Sequence, residues 1–402
     1  MNASHPPPRE AALRRLNDFL PHAGRDYTSK RNYDLPGHPH VSVLSPYIRH
    51  RLLTEEEVLS AVLGRFSLSS AEKFVQEVFW RTYWKGWLEL RPGVWDDYKS
   101  DLDLSFARMT DDPGLLSDWE AACGGETGID AFDHWAKELV ETGYMHNHAR
   151  MWFASIWVFT LDLPWELGAD FFLRHLLDGD PASNTLSWRW VAGLQTRGKH
   201  YVARSSNISK YTEGRFNPGY RLNTQAMPLD GPPAPERQGP PLTGYRARTG
   251  RIGLVLTEED LAPGFLLKGA PVDATLVVNG ATGRSPKPIS ENVRTFIEGA
   301  LADCVARHGE LLGEVTGPVT AAEAQGGFDD WVAQHDLDQV VMAYAPRGPA
   351  RDGLAALLAE DRITEIIRDY DQAAWPFATA GFFKFKAKIP TLVAAIGRAQ
   401  AA

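Results

Sequence analysis

Five polar residues lie within one stretch of the chain and are of types that can hydrogen-bond a bound ring and balance its charge. Asn147 and Arg150 are three residues apart in a segment without Gly or Pro, so on a helix they share one face. Asp178 and Asp180 follow in DGDP, where Gly and Pro indicate a turn that holds both carboxylates at the boundary of an element. Asn184 comes shortly afterwards. Each residue alone could be a helix cap, a turn or a surface ion pair, so the joint order and spacing are the informative feature.

This combination resembles the flavin-binding residues of the photolyase/cryptochrome family, so FAD is the expected cofactor. The resemblance implies that Arg150 pairs with Asp178 beside the flavin and that Asp180 accepts a hydrogen bond from the ring imide. Asn184 is expected against the ring nitrogen that takes up a proton, and Asn147 belongs to the same set. In such proteins the flavin carries the redox chemistry and the protein tunes it. Plant and animal photoreceptors of the family often have Asp or Cys at the position of Asn184, whereas Asn is typical of the repair enzymes.

A second segment, FVQEVFWRTYW, resembles the mouth of the family's flavin pocket. Its Trp residues recur at helical spacing, which alone predicts an amphipathic core helix. In the family, the residues matching Glu77 and Trp80 hydrogen-bond and stack on a lesion that has been extruded from DNA. The residue matching Arg81 lies on the flavin side. Extrusion into a pocket is the general way in which enzymes reach a base in a duplex.

A third segment, HPHVSVLSPYI, resembles the loop that holds the FAD phosphates near the start of a helix. Ser42, Leu44 and Ser45 are the matching residues, and Tyr27 and Arg31 match a Tyr-x-x-x-Arg pattern that precedes the loop in the family. Here the separation from the loop is two residues longer, and Val replaces a usual Thr within it. The phosphate contacts are therefore less well defined than the ring contacts.

Trp188 and Trp165 resemble the first two members of the family's chain of Trp residues that pass electrons to the flavin. Most other Trp residues are better explained as anchors of a core. The third member of the chain falls at Met109, which is not aromatic. We therefore expect photoreduction either to be slow or to end at another residue. The candidates are Trp95, Trp119, Trp152 and Trp157.

Residues 197–221 predict a contact with DNA phosphates, although the net charge of the chain, -9, opposes nonspecific attraction to them. This basic strip contains Arg197, Lys199 and Arg204 with interleaved aromatic residues and a single acid. A solvated loop or a contact with the flavin phosphates is the alternative.

The lesion itself is not identified by the sequence. His148 stands where photolyases of cyclobutane dimers usually have Arg, and some relatives that act on other photoproducts have His in this region. Trp190 is expected to contact the lesion together with Trp80.

Composition and apolar pattern predict two domains, a mostly helical one followed by a smaller α/β one. With 402 residues, of which 44% are hydrophobic, the chain is long enough for more than one core. Residues 1–225 contain long periodic segments and form the predicted helical, photolyase-like FAD-binding domain. Residues 226–250 are a Pro-rich linker. In residues 251–402, the short apolar runs RIGLVL, ATLVVN and QVVMAYA alternate with helical stretches, which predicts a Rossmann-like parallel sheet.

Family members normally have an α/β antenna domain ahead of the flavin domain, and no segment of that size precedes Tyr27 in this sequence. LVLTEEDL, VVMAYAPRGPARDGLAAL and AWPFATAGFFKFKAKIP resemble parts of such a domain. An antenna-like domain transposed to the C-terminal side is one interpretation, and an unrelated α/β module is the other. The antenna chromophore is unknown.

Other cofactors and a membrane location are not expected. Two cysteines cannot supply the four thiolates of an iron-sulfur cluster, and no His or Cys spacing suits zinc. There is no long apolar run, and the N-terminus MNASHPPPRE lacks the apolar core of a signal peptide. We therefore expect a cytoplasmic protein without a membrane partner.

The resemblance implies a blue-light-driven DNA photolyase, a lyase that repairs pyrimidine photoproducts by electron transfer from reduced FAD. The alternative is a cryptochrome-like photoreceptor that signals without repairing DNA. Glu77, Trp80, Asn184 and Trp190 favour the enzyme. The acidic net charge, the missing third Trp and the transposed domain favour the photoreceptor.

Overall fold

The computed structural model describes residues 5–244 and 249–401, with side chains as far as residue 397. Helices make up the first part of the chain, and a five-stranded sheet with further helices makes up the second. The helices of the first part are α1 (Arg9–Phe19), α2 (Arg25–Lys30), α3 (Ser45–Arg49), α4 (Glu55–Leu63), α5 (Glu72–Glu89), α6 (Gly93–Asp111), α7 (Pro113–Gly124), α8 (Asp130–Thr142), α9 (Asn147–Ser155), α10 (Trp165–His175), α11 (Pro181–Ala192) and α12 (Ser205–Tyr211).

The second part alternates strands and helices, and the segments before it, residues 222–244 and 249–251, contain neither. Within the described ranges no helix has the length and apolar composition needed to cross a bilayer. The elements are β1 (Ile252–Thr257), α13 (Gly264–Leu267), β2 (Ala274–Asn279), α14 (Glu291–His308), β3 (Glu314–Thr320), α15 (Ala321–Gln334), β4 (Gln339–Ala343), α16 (Pro349–Gly353), α17 (Ala355–Ala359), β5 (Thr364–Ile366), α18 (Asp369–Ala374), α19 (Phe382–Lys386) and α20 (Ile389–Ala401).

The sheet is parallel throughout, with the strand order β3-β2-β1-β4-β5. Every residue of β1 and β2 is buried, as expected of strands covered on both faces. The predicted strands in RIGLVL, ATLVVN and QVVMAYA are confirmed, and so is the fold class of a helical domain followed by a parallel α/β domain.

The two edge strands, β3 and β5, are the ones that the sequence did not predict. β3 is mostly exposed or half-buried, and it contains Gly317 and Pro318. β5 has only three residues. An edge strand is paired on one side only and tolerates Pro, so it needs no continuous apolar run by which a sequence pattern would reveal it.

Helix α5 is shared by the two domains and determines where the site lies. One side of α5 faces a cavity in the helical domain, while Phe79 and Tyr83 pack against Phe385 of α19. Gly86 lies against Trp375, where an added β-carbon would come within 2.8 Å of the indole. The hydrophobic core is continuous from the helical domain into the α/β domain as a result.

A buried cluster of charges centred on Arg51 joins the two domains. The Arg51 guanidinium donates to Glu55 of α4 at 3.1 Å, to Asp260 after β1 at 3.2 Å and to Asp371 of α18 at 2.6 Å. Burial disfavours the charged form of Arg51, but the attraction of Asp371, Glu55 and Asp260 outweighs it and raises the pKa of Arg51. Asp260 also accepts from Arg368 at 2.7 Å, whereas Asp371 forms a salt bridge with no other described residue. Asp371 therefore depends most on Arg51, because a buried charge without a partner is costly.

We predict that Arg51→Met lowers the free energy of unfolding by about 3 to 5 kcal/mol, because it leaves buried carboxylates uncompensated. The matched control is Arg14→Met, which removes an exposed pair with Glu10 and is expected to cost at most about 1 kcal/mol. Urea denaturation followed by circular dichroism measures both. Equal, small losses in the two variants would contradict the role given to Arg51.

Candidate cofactor and active site

A cavity of about 580 Å³ lies within the helical domain, a volume typical of sites for cofactors and other small molecules. Its wall contains every residue that the sequence predicted to contact FAD, although they come from separate parts of the chain. These residues are Tyr27, Arg31, Ser42, Leu44, Ser45, Arg81, Asn147, Arg150, Asp178, Asp180 and Asn184.

Arg150 and Asp178 form an ion pair at the cavity wall, with Nη2 of Arg150 2.8 Å from Oδ2 of Asp178. Helix α9 positions the arginine, whose Nε donates to the Met145 carbonyl at 2.9 Å. Burial alone would raise the pKa of Asp178, but Arg150 outweighs burial and the pKa is lowered. The Arg150 side chain remains 23% exposed. Removing its partner therefore costs less than in a fully buried pair.

Asp180 caps helix α11 and at the same time offers a carboxylate oxygen to the cavity. Its Oδ1 accepts from the Ser183 backbone N–H at 2.8 Å, and Pro181 occupies the first position of the helix, a common arrangement at a helix start. Its Oδ2 is buried and accepts no hydrogen bond from any described residue. Burial would raise the pKa of Asp180, but Lys85 and Arg49 hold it well below its ordinary value. An ionised acceptor is thus available for a ring N–H.

Asn184 lies on α11, one turn after the cap, and its amide orientation is fixed by the helix packed against it. Its Nδ2 donates to the Ala169 carbonyl of α10 at 2.8 Å. Because the amide nitrogen is used in this way, the carbonyl oxygen is the atom left to accept a hydrogen bond. Asn184 can therefore receive an N–H of a bound ring.

Arg49 and Lys85 are buried next to Asp180, and the sequence did not single them out. Arg49 donates two hydrogen bonds to Glu259 of the α/β domain, at 2.6 and 2.7 Å. The Lys85 Nζ is 3.8 Å from Asp180 Oδ2. Burial, followed by the nearby charge of Arg81, lowers the pKa of Lys85 to about 8. One signal was available, because Lys85 follows Arg81 by one turn of α5 and so lies on the same side of that helix.

The loop that resembles a phosphate-binding segment has a constrained backbone. Ser42 Oγ accepts from the Leu44 N–H at 3.3 Å, and Ser45 begins α3. Val43 between them has a φ of 50°, a conformation that is strained for a β-branched residue. Such strain persists only where the surroundings enforce it, and it is concentrated at functional sites.

The mouth of the cavity is aromatic and carries one ion pair. Trp80, Trp190 and His148 all line it. Arg31 and Glu77 form a direct salt bridge there. Burial raises the pKa of Glu77, and the attraction of Arg31 opposes that rise. The residue expected at the phosphates and the residue expected at the lesion thus contact each other directly.

Trp165 does not line the cavity, whereas Trp188 does. The Trp165 ring instead contacts the Tyr98 ring at 5.7 Å between centroids, and Tyr98 contacts Trp95 at 5.2 Å. The Trp95 Nε1 donates to Asp352 of the α/β domain at 2.8 Å. A row of aromatic rings therefore leads from Trp165 to the boundary between the domains.

The other Trp candidates lie elsewhere. Trp157 contacts Trp188 at 6.1 Å and, like Trp95, is buried; its remaining ring contacts are with phenylalanines. Trp152 stacks on His148, and Trp119 contacts Phe106. Met109 is buried in the core.

The predicted DNA-contacting cations lie outside the cavity. Arg197 is 3.3 Å from Asp230 in an exposed ion pair, and Arg204 immediately precedes α12. Lys199 is exposed. The strip reaches the cavity mouth through Tyr201, whose ring stacks on Trp190 at 5.9 Å.

These features fit FAD, since a cavity of cofactor size is bordered by a fixed amide, an ion pair and a buried carboxylate oxygen that accepts no hydrogen bond from any described residue. Residues 74–219 match the family model described as the FAD binding domain of DNA photolyase. This region is therefore similar to the FAD-binding domain of DNA photolyases. The part of the chain that the structure describes has no cluster of His, Cys, Asp and Glu suited to a metal ion.

Known proteins with similar sequences are photolyases. The deoxyribodipyrimidine photo-lyase of Streptomyces griseus is 34% identical over 212 residues, which are 50% of this chain and 44% of the relative. That of Alkalihalophilus pseudofirmus is 32% identical over 198 residues, 48% of this chain and 39% of the relative. A class III photolyase structure from Agrobacterium tumefaciens aligns with a TM-score of 0.43 at 27% identity, covering 51% of this chain and 42% of that one. The chain thus spans less than half the length of these relatives.

We predict that Asp178→Ala lowers the FAD content of the purified protein, because Arg150 loses the partner that orients it. Since Arg150 is partly exposed, the free energy of unfolding of the flavin-free protein should fall by only about 1 to 3 kcal/mol. Flavin absorbance per protein and urea denaturation measure the two effects. Asp133→Ala is the control for removal of a carboxylate away from the cavity lining, and full FAD content in Asp178→Ala would show that the pair is dispensable.

Proposed function

We propose that the protein is a blue-light-driven, FAD-dependent DNA photolyase that acts on pyrimidine photoproducts. The observation that supports this proposal most is that two groups of residues with different chemistry line one cavity. Asp180 and Asn184 offer acceptors suited to a flavin ring, while Trp80 and Trp190 form an aromatic mouth through which a flat base could enter. Neither wall alone would distinguish a repair enzyme from another flavoprotein. Cytoplasmic localisation stays a prediction.

When bound and reduced, FAD supplies the photoexcited electron that splits the lesion. The residues of this chain bind and orient it. Asp180, kept ionised by Lys85 and Arg49, accepts from the ring imide. Asn184, held by Ala169, presents its carbonyl oxygen to the ring nitrogen that carries a proton.

At the mouth, Trp80 provides a stacking surface and the Arg31–Glu77 pair provides polar groups for the base edges. Glu77, with its raised pKa, can accept or, when protonated, donate a hydrogen bond. His148 borders the same space, and its Nδ1–H donates to the Asn32 carbonyl, 3.0 Å away. We propose that this histidine helps to determine which photoproduct is accepted.

The basic strip of residues 197–221 is proposed to bind the DNA backbone. Tyr201 links it to the mouth through Trp190, so a duplex on the strip would pass over the cavity. Lys199 and Arg204 are the proposed phosphate contacts. Phosphate contacts position a duplex without reading its sequence, which suits an enzyme that recognises damage.

We predict that Trp80→Ala weakens binding of an oligonucleotide with one defined photoproduct by about tenfold to a hundredfold and leaves the FAD content unchanged, since stacking on an aromatic ring contributes about 1 to 3 kcal/mol. Trp80→Phe should retain part of the affinity. Lys199→Gln should instead weaken the binding of damaged and of undamaged DNA equally. Equilibrium binding and single-turnover repair by the prereduced protein under blue light, with a dark control, measure these effects for cyclobutane and 6-4 photoproducts.

If the wild-type protein neither prefers nor repairs either photoproduct, the photolyase proposal is wrong. The cryptochrome-like photoreceptor then becomes the better proposal. It shares the cofactor and the Trp residues but needs no lesion pocket, so light-dependent changes in the contact between the domains would be its first test.

We further propose that photoreduction uses Trp188 and Trp165 and ends at Trp95 in place of the missing third Trp. Tyr98 lies between Trp165 and Trp95. The Tyr98 hydroxyl is buried and has no hydrogen-bond partner among the described residues, so Tyr98 cannot release its proton and is a bridge between the two indoles, not a radical site of its own. Trp95 loses one electron to oxidised Trp165, and its indole proton passes to the Asp352 carboxylate. Asp352 is 36% exposed and exchanges that proton with solvent.

We predict that Trp188→Phe abolishes blue-light bleaching of oxidised FAD in the presence of a thiol reductant, and that Trp95→Phe slows it. In Trp119→Phe, the oxidised FAD should bleach at the wild-type rate. Electron paramagnetic resonance after a flash should show a Trp radical that is lost in Trp95→Phe, and Asp352→Asn should keep that radical protonated. An unchanged radical signal in Trp95→Phe would place the end of the chain elsewhere.

A further inference from the structure

A short segment of the α/β domain lies directly against the mouth of the cavity. The Phe382 ring is stacked on Trp80, with 3.6 Å between centroids and 11° between planes. The Tyr83 hydroxyl donates to the Ala380 carbonyl at 2.8 Å, and Arg91 donates to the Thr379 carbonyl at 2.9 Å. We call residues 381–388, GFFKFKAK, the C-terminal rim. It is fixed to the helix that carries the proposed lesion-binding residues.

The next residue, Phe383, is 86% exposed, whereas Phe382 and Phe385 on either side are buried. A single exposed apolar ring needs no explanation by itself. The setting of this ring is unusual, because its neighbour Phe382 stacks on one face of the Trp80 indole. Phe383 is therefore a large exposed apolar ring that follows directly in sequence a residue in contact with the cavity-lining Trp80.

The rim is also basic within an acidic protein. From Gln372 to Ala402 the sequence contains no Asp or Glu, although the chain as a whole has a net charge of -9. Lys384 and Lys388 are exposed and make no salt bridge with any described residue, while Lys386 pairs with Glu72 at 2.8 Å. Two exposed cations beside an apolar ring complement a polyanion with flat apolar bases.

When damaged bases are extruded from a duplex, the gap that they leave must be filled, and the C-terminal rim has the features needed to fill it. Moving damaged bases into a pocket costs their stacking and pairing energy and leaves a gap in the duplex. Proteins that distort DNA commonly insert an apolar side chain such as Phe between base steps. An inserting residue must lie beside the pocket, be exposed and be held on a rigid support.

We propose that Phe383 is a wedge that enters the duplex at the gap left by the extruded lesion, with Lys384 and Lys388 on the flanking phosphates. The occupant of the rim is thus double-stranded DNA around the lesion. This inference rests on the proposed photolyase function and deepens it, because it assigns part of substrate binding to the α/β domain.

Comparison of duplex and single-stranded substrates tests the wedge, because only a duplex has a gap to fill. Phe383→Ala should weaken binding of a duplex with one photoproduct by about tenfold or more and leave binding of the same damaged strand, alone, unchanged. A 2-aminopurine opposite the lesion should be quenched by the wild type and less by the variant. Leu104→Ala, which removes another exposed apolar side chain, is the control. Lys384→Gln should reduce the salt dependence of the binding affinity, for both substrates, by the amount expected from the loss of about one phosphate contact.

Equal losses on duplex and single strand, or no loss on the duplex, would overturn the wedge while leaving the photolyase proposal intact. Loss of concentration-dependent self-association in Phe383→Ala, with DNA binding unchanged, would mean that the rim binds a second copy of the chain. Failure of the wild type either to prefer or to repair a photoproduct, in the single strand and in the duplex alike, would overturn the proposed function itself. Circular dichroism and FAD content confirm that each variant is folded.

Discussion

Behind the cavity, a buried cluster of opposite charges holds the flavin-binding wall and the α/β domain together. Arg49 donates to Glu259 of the α/β domain and also lies 3.7 Å from Asp180. Lys85 lies between the same two carboxylates. Charges buried this deeply are stable only with complete pairing. The charges around Asp180 are therefore shared with Glu259, a residue nearly eighty positions later in the chain, so the cavity and the α/β domain are parts of one electrostatic unit.

The sheet uses its carboxyl edge for this contact. In open parallel sheets, ligands commonly bind where the strand order reverses, which here is between β1 and β4. Glu259 follows β1 and binds Arg49, and Tyr344 follows β4 and donates to Glu89 of α5 at 2.6 Å. The edge that could hold a nucleotide-like chromophore in another α/β domain is in contact with the helical domain instead.

Helix α5 connects the cavity to the α/β domain because it contacts both. Residues on one side of it line the cavity, and residues on the other side pack against α18 and α19. Trp80 belongs to both environments because it borders the cavity and stacks on Phe382. A change in the α/β domain can therefore alter the cavity mouth without touching the cofactor-binding residues.

The sequence by itself determined the helical and α/β classes, the buried strands and the candidate flavin-binding residues, all of which line the cavity. Those features follow from local periodicity and from the types of side chain that a flavin ring requires, and both can be recognised in the sequence alone. The sequence did not predict the buried charges Arg49, Lys85 and Glu259, because buried ion pairs join residues far apart in sequence. A single charged residue in a sequence is indistinguishable from an exposed one. The edge strands escaped notice because they need no apolar run. Only the tertiary structure decided that Trp95 continues the row of rings from Trp165, and that GFFKFKAK lies on Trp80, since both depend on how the two domains pack.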